Sequence, residues 1–192
     1  MEQVIFCGEN PEVRLYRDDT MTAFASYWWS AYSPHGQGQV LFLWATPDIA
    51  PVIYAENEAL ARFLGETLVQ HFDGLQAFGF DRLIPKQARF VRGGDSRRNY
   101  RVLCYDDKDE IEVVWQDIFN YRLPRLYSNI FERSEQETQY DVSNVICPVA
   151  SARIIVNGTP LPGQVNSYHD GTMQRSSAFL AFSETWIERT EG

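Results

Sequence analysis

The chain has little of what marks most enzymes and most membrane proteins. It holds no glycine-rich phosphate loop, no Gly-x-Ser-x-Gly elbow, no Cys-x-x-Cys pair and no His-x-x-x-His pair. Nucleotide, serine-hydrolase, dithiol and helix-borne zinc chemistry therefore lose their sequence support, and no motif calls for a cofactor or a metal. No uninterrupted apolar run approaches the roughly 20 residues of a membrane-spanning helix. Positive charge is scarce: 17 basic residues stand against 26 acidic ones, for a net charge of −9, which argues against nucleic acid and against an anionic membrane surface as partners. The start, Met1-Glu2-Gln3-Val4-Ile5-Phe6-Cys7, carries an acidic residue where a secretory leader needs basic ones. Cysteine is confined to Cys7, Cys104 and Cys147, an odd number set far apart among apolar neighbours. That usage predicts buried free thiols and a cytoplasmic setting. There is no internal repeat and no low-complexity tract.

What is present is apolar and aromatic. In 192 residues, 44% are hydrophobic and 14% aromatic, enough for the core of one domain spanning the whole chain. The stretch Thr22 to Trp44 organises it. Read by alternate positions, Phe24, Ser26, Trp28, Ser30 and Tyr32 share one face of a strand, and Ala23, Ala25, Tyr27, Trp29 and Ala31 share the other. After Ser33-Pro34-His35-Gly36-Gln37-Gly38, the run Val40 to Ala45 repeats the pattern. Neither face of this hairpin is polar, so both need cover. Ser26 and Ser30 around Trp28 suit either core packing or a ligand cavity.

From Asn57 to Phe72 the period changes. Leu60, Phe63, Leu64, Leu68 and Phe72 lie at helical spacing opposite Glu58, Arg62, Glu66 and Gln70, with Asn57 as N-cap and Asp73-Gly74 as stop. His71 on this helix reads as a surface or cap residue. Leu75 to Arg82 is left open between a buried loop and a short strand. Val4 to Phe6 and Val13 to Tyr16 read as edge strands. Hairpins are predicted for Gln87 to Arg92 with Asn99 to Tyr105, and for the latter with Glu110 to Ile118, where Ile111, Val113 and Trp115 face inward. The basic cluster Lys86, Arg89, Arg92, Arg97, Arg98 and Arg101 reads as a charged edge paired with nearby acids rather than an anion clamp. Phe119 to Arg133 reads as a loop, Ser134 to Gln139 as surface, and Val145–Cys147, Ala152–Val156 and Ser177–Ile187 as further strands joined by turns at Asn157-Gly158 and Pro162-Gly163. The expected fold is mainly β: a single antiparallel β-barrel or sandwich with one amphipathic helix packed against it.

The one polar constellation is Asn166-Ser167-Tyr168-His169-Asp170-Gly171. His169 and Asp170 are candidates for proton transfer if Gly171 bends the chain so that both point one way. Tyr27-Trp28-Trp29, Val156-Asn157-Gly158 with Pro162-Gly163, Tyr168-His169-Asp170 and a closing strand ending in Trp186 resemble the lipocalin-like family of carotenoid hydratases and AttH-type proteins. The match is confined to 27–29 and about 152–187, and the sequence departs from the family after Asp170, where Gly171-Thr172-Met173-Gln174 follow. The resemblance implies a lipocalin-like (calycin-type) barrel that binds, and isomerises, hydrates or cyclises, a small apolar molecule, isoprenoid- or polyketide-like. On that expectation Trp28, Trp29, Tyr32, Trp44 and Tyr168 line an interior cavity, with His169 and Asp170 as the acid/base pair and the 57–72 helix as lid or buttress. The alternative is a non-catalytic protein that uses an exposed aromatic surface for a partner or for homodimerisation.

Overall fold

A computed structural model describes residues 1–190 apart from 73, 96 and 129–137, and leaves aside the side chains of His71 and Thr138. The chain is mainly β. Its strands are β1 (Glu2–Glu9), β2 (Glu12–Arg17), β3 (Thr20–Tyr32), β4 (Gly38–Ala45), β5 (Ile49–Ala55), β6 (Lys86–Gln87), β7 (Arg89–Asp95) and β8 (Asn99–Tyr105). They continue with β9 (Glu110–Ile118), β10 (Leu123–Tyr127), β11 (Thr138–Val156), β12 (Thr159–Pro160), β13 (Gln164–Val165), β14 (Ser167–His169), β15 (Gln174–Ser176) and β16 (Ala178–Thr190). Fourteen form one mixed sheet, ten of them along the path β6-β5-β4-β3-β1-β16-β11-β9-β8-β7 with β2, β10, β12 and β13 off it, and among the described residues β14 pairs only with β15.

The two short N-terminal strands are not edges. β1 pairs with β3 and with the C-terminal half of β16, while β2 pairs with β3 and with the start of β16, so both fill one slot between the same two neighbours. Pro11 falls at the joint between them, where its missing N–H interrupts no ladder. Gly8 is required there: a Cβ on it would stand 1.8 Å from the Trp29 carbonyl oxygen. The hairpin Thr22 to Trp44 forms as β3 and β4, in register from Ser30↔Gly38 to Ala23↔Ala45. β7–β8 and β8–β9 pair as the sequence predicts, with Ile111, Val113 and Trp115 wholly buried. Asn157 and Gly158 both take positive φ, 51° and 78°, in the tight turn from β11 to β12. The loop expected at Phe119 to Arg133 instead contains β10, which tolerates Pro124 because among the described residues it pairs on one side only, with β11; residues 129–133, and most of Ser134 to Gln139, lie outside the described residues.

Each face of the sheet carries its own core. Tyr27, Leu41, Leu43, Val102, Trp115, Ile154 and Leu180, drawn from β3, β4, β8, β9, β11 and β16, pack the inner side. Phe24, Trp28, Val40, Phe42 and Ile53 belong to the outer side and lie beneath the segment between β5 and β6. That segment starts as helix α1 (Glu58–Phe63), with the Asn57 side chain accepting from the Leu60 N–H at 3.1 Å. The expected single helix to Phe72 is correct in direction but not in winding: it widens to a π turn at Leu64–Leu68 and tightens to a 3₁₀ turn at Val69–His71. Leu60, Leu64 and Leu68 are buried all the same, each worth about 1.5–3 kcal/mol of apolar transfer. The open stretch Leu75 to Arg82 forms two further 3₁₀ turns. It sets Phe78 on Trp44 at 4.5 Å between ring centroids and Phe80 edge-on against Phe42.

Three residues of the basic cluster are paired with acids, Lys86 with Asp109, Arg92 with Glu9 and Arg101 with Glu112. The three cysteines are unbridged; Cys104 and Cys147 are buried and burial pushes both thiols up, whereas Cys7 is only half-buried. No helix of the described residues is long and apolar enough to cross a membrane.

Candidate functional site

The residues singled out by sequence do not meet. Trp28 is fully buried and points to the outer side, its ring edge-on to Phe6 at 5.1 Å, and Trp44 lies on the same side under Phe78. Trp29 points the other way, half-buried beneath Arg92 at 4.1 Å, in a cluster where Glu9 pairs with Arg92 and accepts from the Tyr100 hydroxyl. Tyr32 is 50% exposed and Tyr168 59%. His169 and Asp170 sit at the exposed tip of the β14–β15 hairpin. There the His169 Nδ1 accepts from the Gly171 N–H at 3.0 Å, so Gly171 does bend the chain, but away from any cavity shared with Trp28 or Trp44. The Thr172 hydroxyl, the amide N–H groups of Met173 and Thr172, and the Arg175 guanidinium hold the Asp170 carboxyl well below the usual carboxylate range. An acid so committed to its own turn is no proton donor.

A cleft of about 510 Å³ opens elsewhere, on the outer face beyond the helical segment. Its walls are Phe72, Val142, Ile146, Phe179 and Trp186, its rim includes Arg125, Tyr127 and Tyr168, and Glu12, Arg14, Asn10, Asn144 and Glu184 line its polar part. Of the sequence candidates, Tyr168 alone reaches it.

Glu184 occupies this site because β16 carries a bulge. Ala178, Leu180 and Phe182 belong to the inner core, yet Trp186, at the same parity, belongs to the outer one. The pairing with β11 slips between Ser143↔Thr185 and Val145↔Phe182, and Ser183 takes a φ of 52°. One extra residue therefore turns Glu184 to the outer face. The joint between β1 and β2 lies beside it and supplies Asn10.

The Glu184 carboxyl is 2% exposed. Oε1 accepts from Trp186 Nε1 at 2.6 Å and from Asn10 Nδ2 at 3.4 Å, and Oε2 accepts from Asn144 Nδ2 at 3.3 Å. The network runs on: Asn10 Oδ1 accepts from Ser26 Oγ at 2.9 Å, which accepts from Trp28 Nε1 at 3.0 Å. Ser26 thus serves the core as a link in a buried chain. Burial pushes the Glu184 carboxyl up to about 7, with the Glu12 charge adding to the rise and the three donors opposing it. Asn144 Oδ1 is buried with no donor among the described residues. A half-turn of that amide would bring Oδ1 to Glu184, which can donate to it only in its acid form. Both protonation states therefore have a hydrogen-bonding arrangement available, as a group that exchanges protons near neutrality requires.

Sequence reasoning missed Glu184, Asn10, Asn144, Glu12 and Arg125. The one local signal is a carboxylate two residues from a tryptophan on an otherwise apolar strand. Among the described residues no group of His, Cys, Asp or Glu side chains is placed to hold a metal. No protein-family model matches the chain, and no curated protein matches it.

Proposed function

We propose that the protein binds a small amphipathic molecule in the outer cleft, with Glu184 as the group that gives or accepts a proton there. The observation that carries this reading is a carboxyl buried at the cleft, poised near neutrality, and held by three donors from three separate strands or joints. The size of the cleft suits a ligand of a few hundred Å³, and its mixture of aromatic wall and polar lining suits a molecule with an apolar body and a few polar groups. The reading keeps the small-ligand chemistry expected from the lipocalin-like hydratases but moves it from the interior to the outer face.

The finer reading of the sheet as a closed, lipocalin-like barrel belongs to the same proposal. β6 pairs in parallel with β5 and runs through Ala88 directly into β7, and the Ala88 N–H donates to the Ala55 carbonyl at 2.9 Å. The two ends of the strand path are thus one residue apart, which supports closure.

Carbon-13 labelling of glutamate carboxyls tests the site. The Glu184 signal, assigned by its loss in Glu184→Gln, should titrate near 7 and rise further when the cleft is filled with the uncharged fluorophore N-phenyl-1-naphthylamine. Asn166→Trp, placed on the exposed rim to plug the cleft, should abolish saturable binding of the fluorophore. A midpoint near 4.5, or one indifferent to bound fluorophore, overturns the reading.

A further inference from the structure

The open part of the outer face holds a row of three polar residues. Arg125 on β10 is the register partner of Asn144 on β11, so the two share a face. Asn144 in turn donates to Glu184 on β16. The row therefore places a guanidinium and a proton-exchanging carboxyl on strands two spacings apart, roughly 10 Å between strand axes.

Arg125 differs from the other cation of the cleft. Arg14 is committed to Glu12, its Nε 2.6 Å from Oε1. Arg125 is half-buried, lines the cleft, and makes no ion pair or hydrogen bond with the described residues. A half-buried guanidinium loses hydration without gaining a partner among the described residues, although the chain carries a net charge of −9. Beside this row, further along the same face of β11 and β16, lies apolar wall, Ile146 and Phe179.

We propose that the cleft recognises an amphipathic monocarboxylate, its carboxylate held by the Arg125 guanidinium and its apolar body laid across Ile146 and Phe179 beside the Arg125–Asn144–Glu184 row. This rests on the reading of the cleft as a ligand site and names its substrate class. One uncommitted guanidinium matches one carboxylate in a two-bond fork. A phosphate monoester fits poorly, because its second charge would face Glu12 and Glu184 in the same cleft.

The test uses 6-(dansylamino)hexanoic acid and its methyl ester, which share a fluorophore and differ in charge. At pH 8 the acid should bind wild-type protein about tenfold or more tighter than the ester, the range expected for hydrogen bonds to a charged group. Arg125→Gln should remove that preference by weakening the acid far more than the ester, Arg125→Lys should restore part of it, and an unchanged melting temperature would show that each variant folds. Equal binding of acid and ester by wild type, or equal weakening of both in Arg125→Gln, overturns the carboxylate assignment while the cleft stands. If neither probe binds wild type, or Asn166→Trp blocks neither, the cleft reading fails and this inference with it.

Discussion

The outer face of the sheet is covered over β3, β4 and β5 and open over β2, β16 and β11, and its side chains differ accordingly. Under the 58–82 segment the face is Phe24, Trp28, Phe42 and Ile53, all buried. Beyond Phe72 it is Glu12, Arg14, Asn144 and Glu184. Phe72 marks the border, its ring 6.5 Å from Trp28 on one side and 6.0 Å from Trp186 on the other. The chain Trp28–Ser26–Asn10–Glu184 crosses that border below the surface. Covering half a face thus gives a rigid apolar floor from which a few polar groups can be aimed into the uncovered half.

The strongest way to break the comparison is to weaken the cover. Leu64 is fully buried at the centre of the covering segment, so Leu64→Ala should cost about 2–5 kcal/mol in denaturant unfolding, as buried leucine truncations do. A loss of only a few tenths would mean that the segment stands free of the sheet.

At the border, pH is the probe. Glu184 is harder to ionise folded than unfolded, its carboxyl raised from an ordinary 4.5 to about 7. Between those values the folded protein keeps a proton that the unfolded chain has lost, so this group's contribution turns against folding as pH rises from about 4.5 and levels off just above 7. At about 1.4 kcal/mol per pH unit the fall totals about 3 kcal/mol. Unfolding free energies of wild type and Glu184→Gln, measured from pH 4.5 to 8.5, should diverge over that window, with the variant losing the downward slope. Parallel curves would mean that the carboxyl is solvated and the border open.

What the sequence revealed follows the same division. The covered half was legible: the doubly apolar hairpin demanded cover on both faces, and the apolar stripe from Leu60 to Leu68 supplied it. The open half was not. Its polar residues come from four distant places, Asn10, Arg125, Asn144 and Glu184, and they converge only through long-range pairing. Strict alternation along β16 puts Glu184 on the side of Phe182, and nothing in a serine at 183 announces a positive φ that reverses it. Pro124 hid β10, and Pro11 made the two inner strands look like edges. Conversely, His169 beside Asp170 looked chemical because adjacency in sequence is visible and solvent exposure is not.

A smaller effect is expected at the anchor of the cover. The Asn57 side chain accepts from the Leu60 N–H and donates to the carbonyls of His35 and Gln37, each at 3.1 Å, tying the start of α1 to the β3–β4 turn. Asn57→Ala should cost about 1–2 kcal/mol. Amide exchange over 58–71 should accelerate while exchange in β16 stays slow, since the packing of Leu60, Leu64 and Leu68 holds the segment down after its cap is lost. Equal acceleration in both would make cover and floor a single cooperative unit.

The least effect is expected at His169, and there a null result sharpens the comparison most. The ring lies on an exposed hairpin tip and accepts one bond from its own turn, while Asp170 beside it is tied to Thr172, Met173 and Arg175. Among the described residues of the hairpin's two strands, Tyr168 and Ser176 line the cleft. His169→Ala should then change stability by no more than about 0.5 kcal/mol, the usual span for surface sites, and should leave both fluorophore binding and the Glu184 titration where they were. Tyr168→Ala, one residue away on the opposite side of the strand, should weaken fluorophore binding without moving the titration, because it removes rim and not floor. If His169→Ala instead moved the Glu184 midpoint, the hairpin would be closing over the cleft and the uncovered half of the face would have a cover of its own.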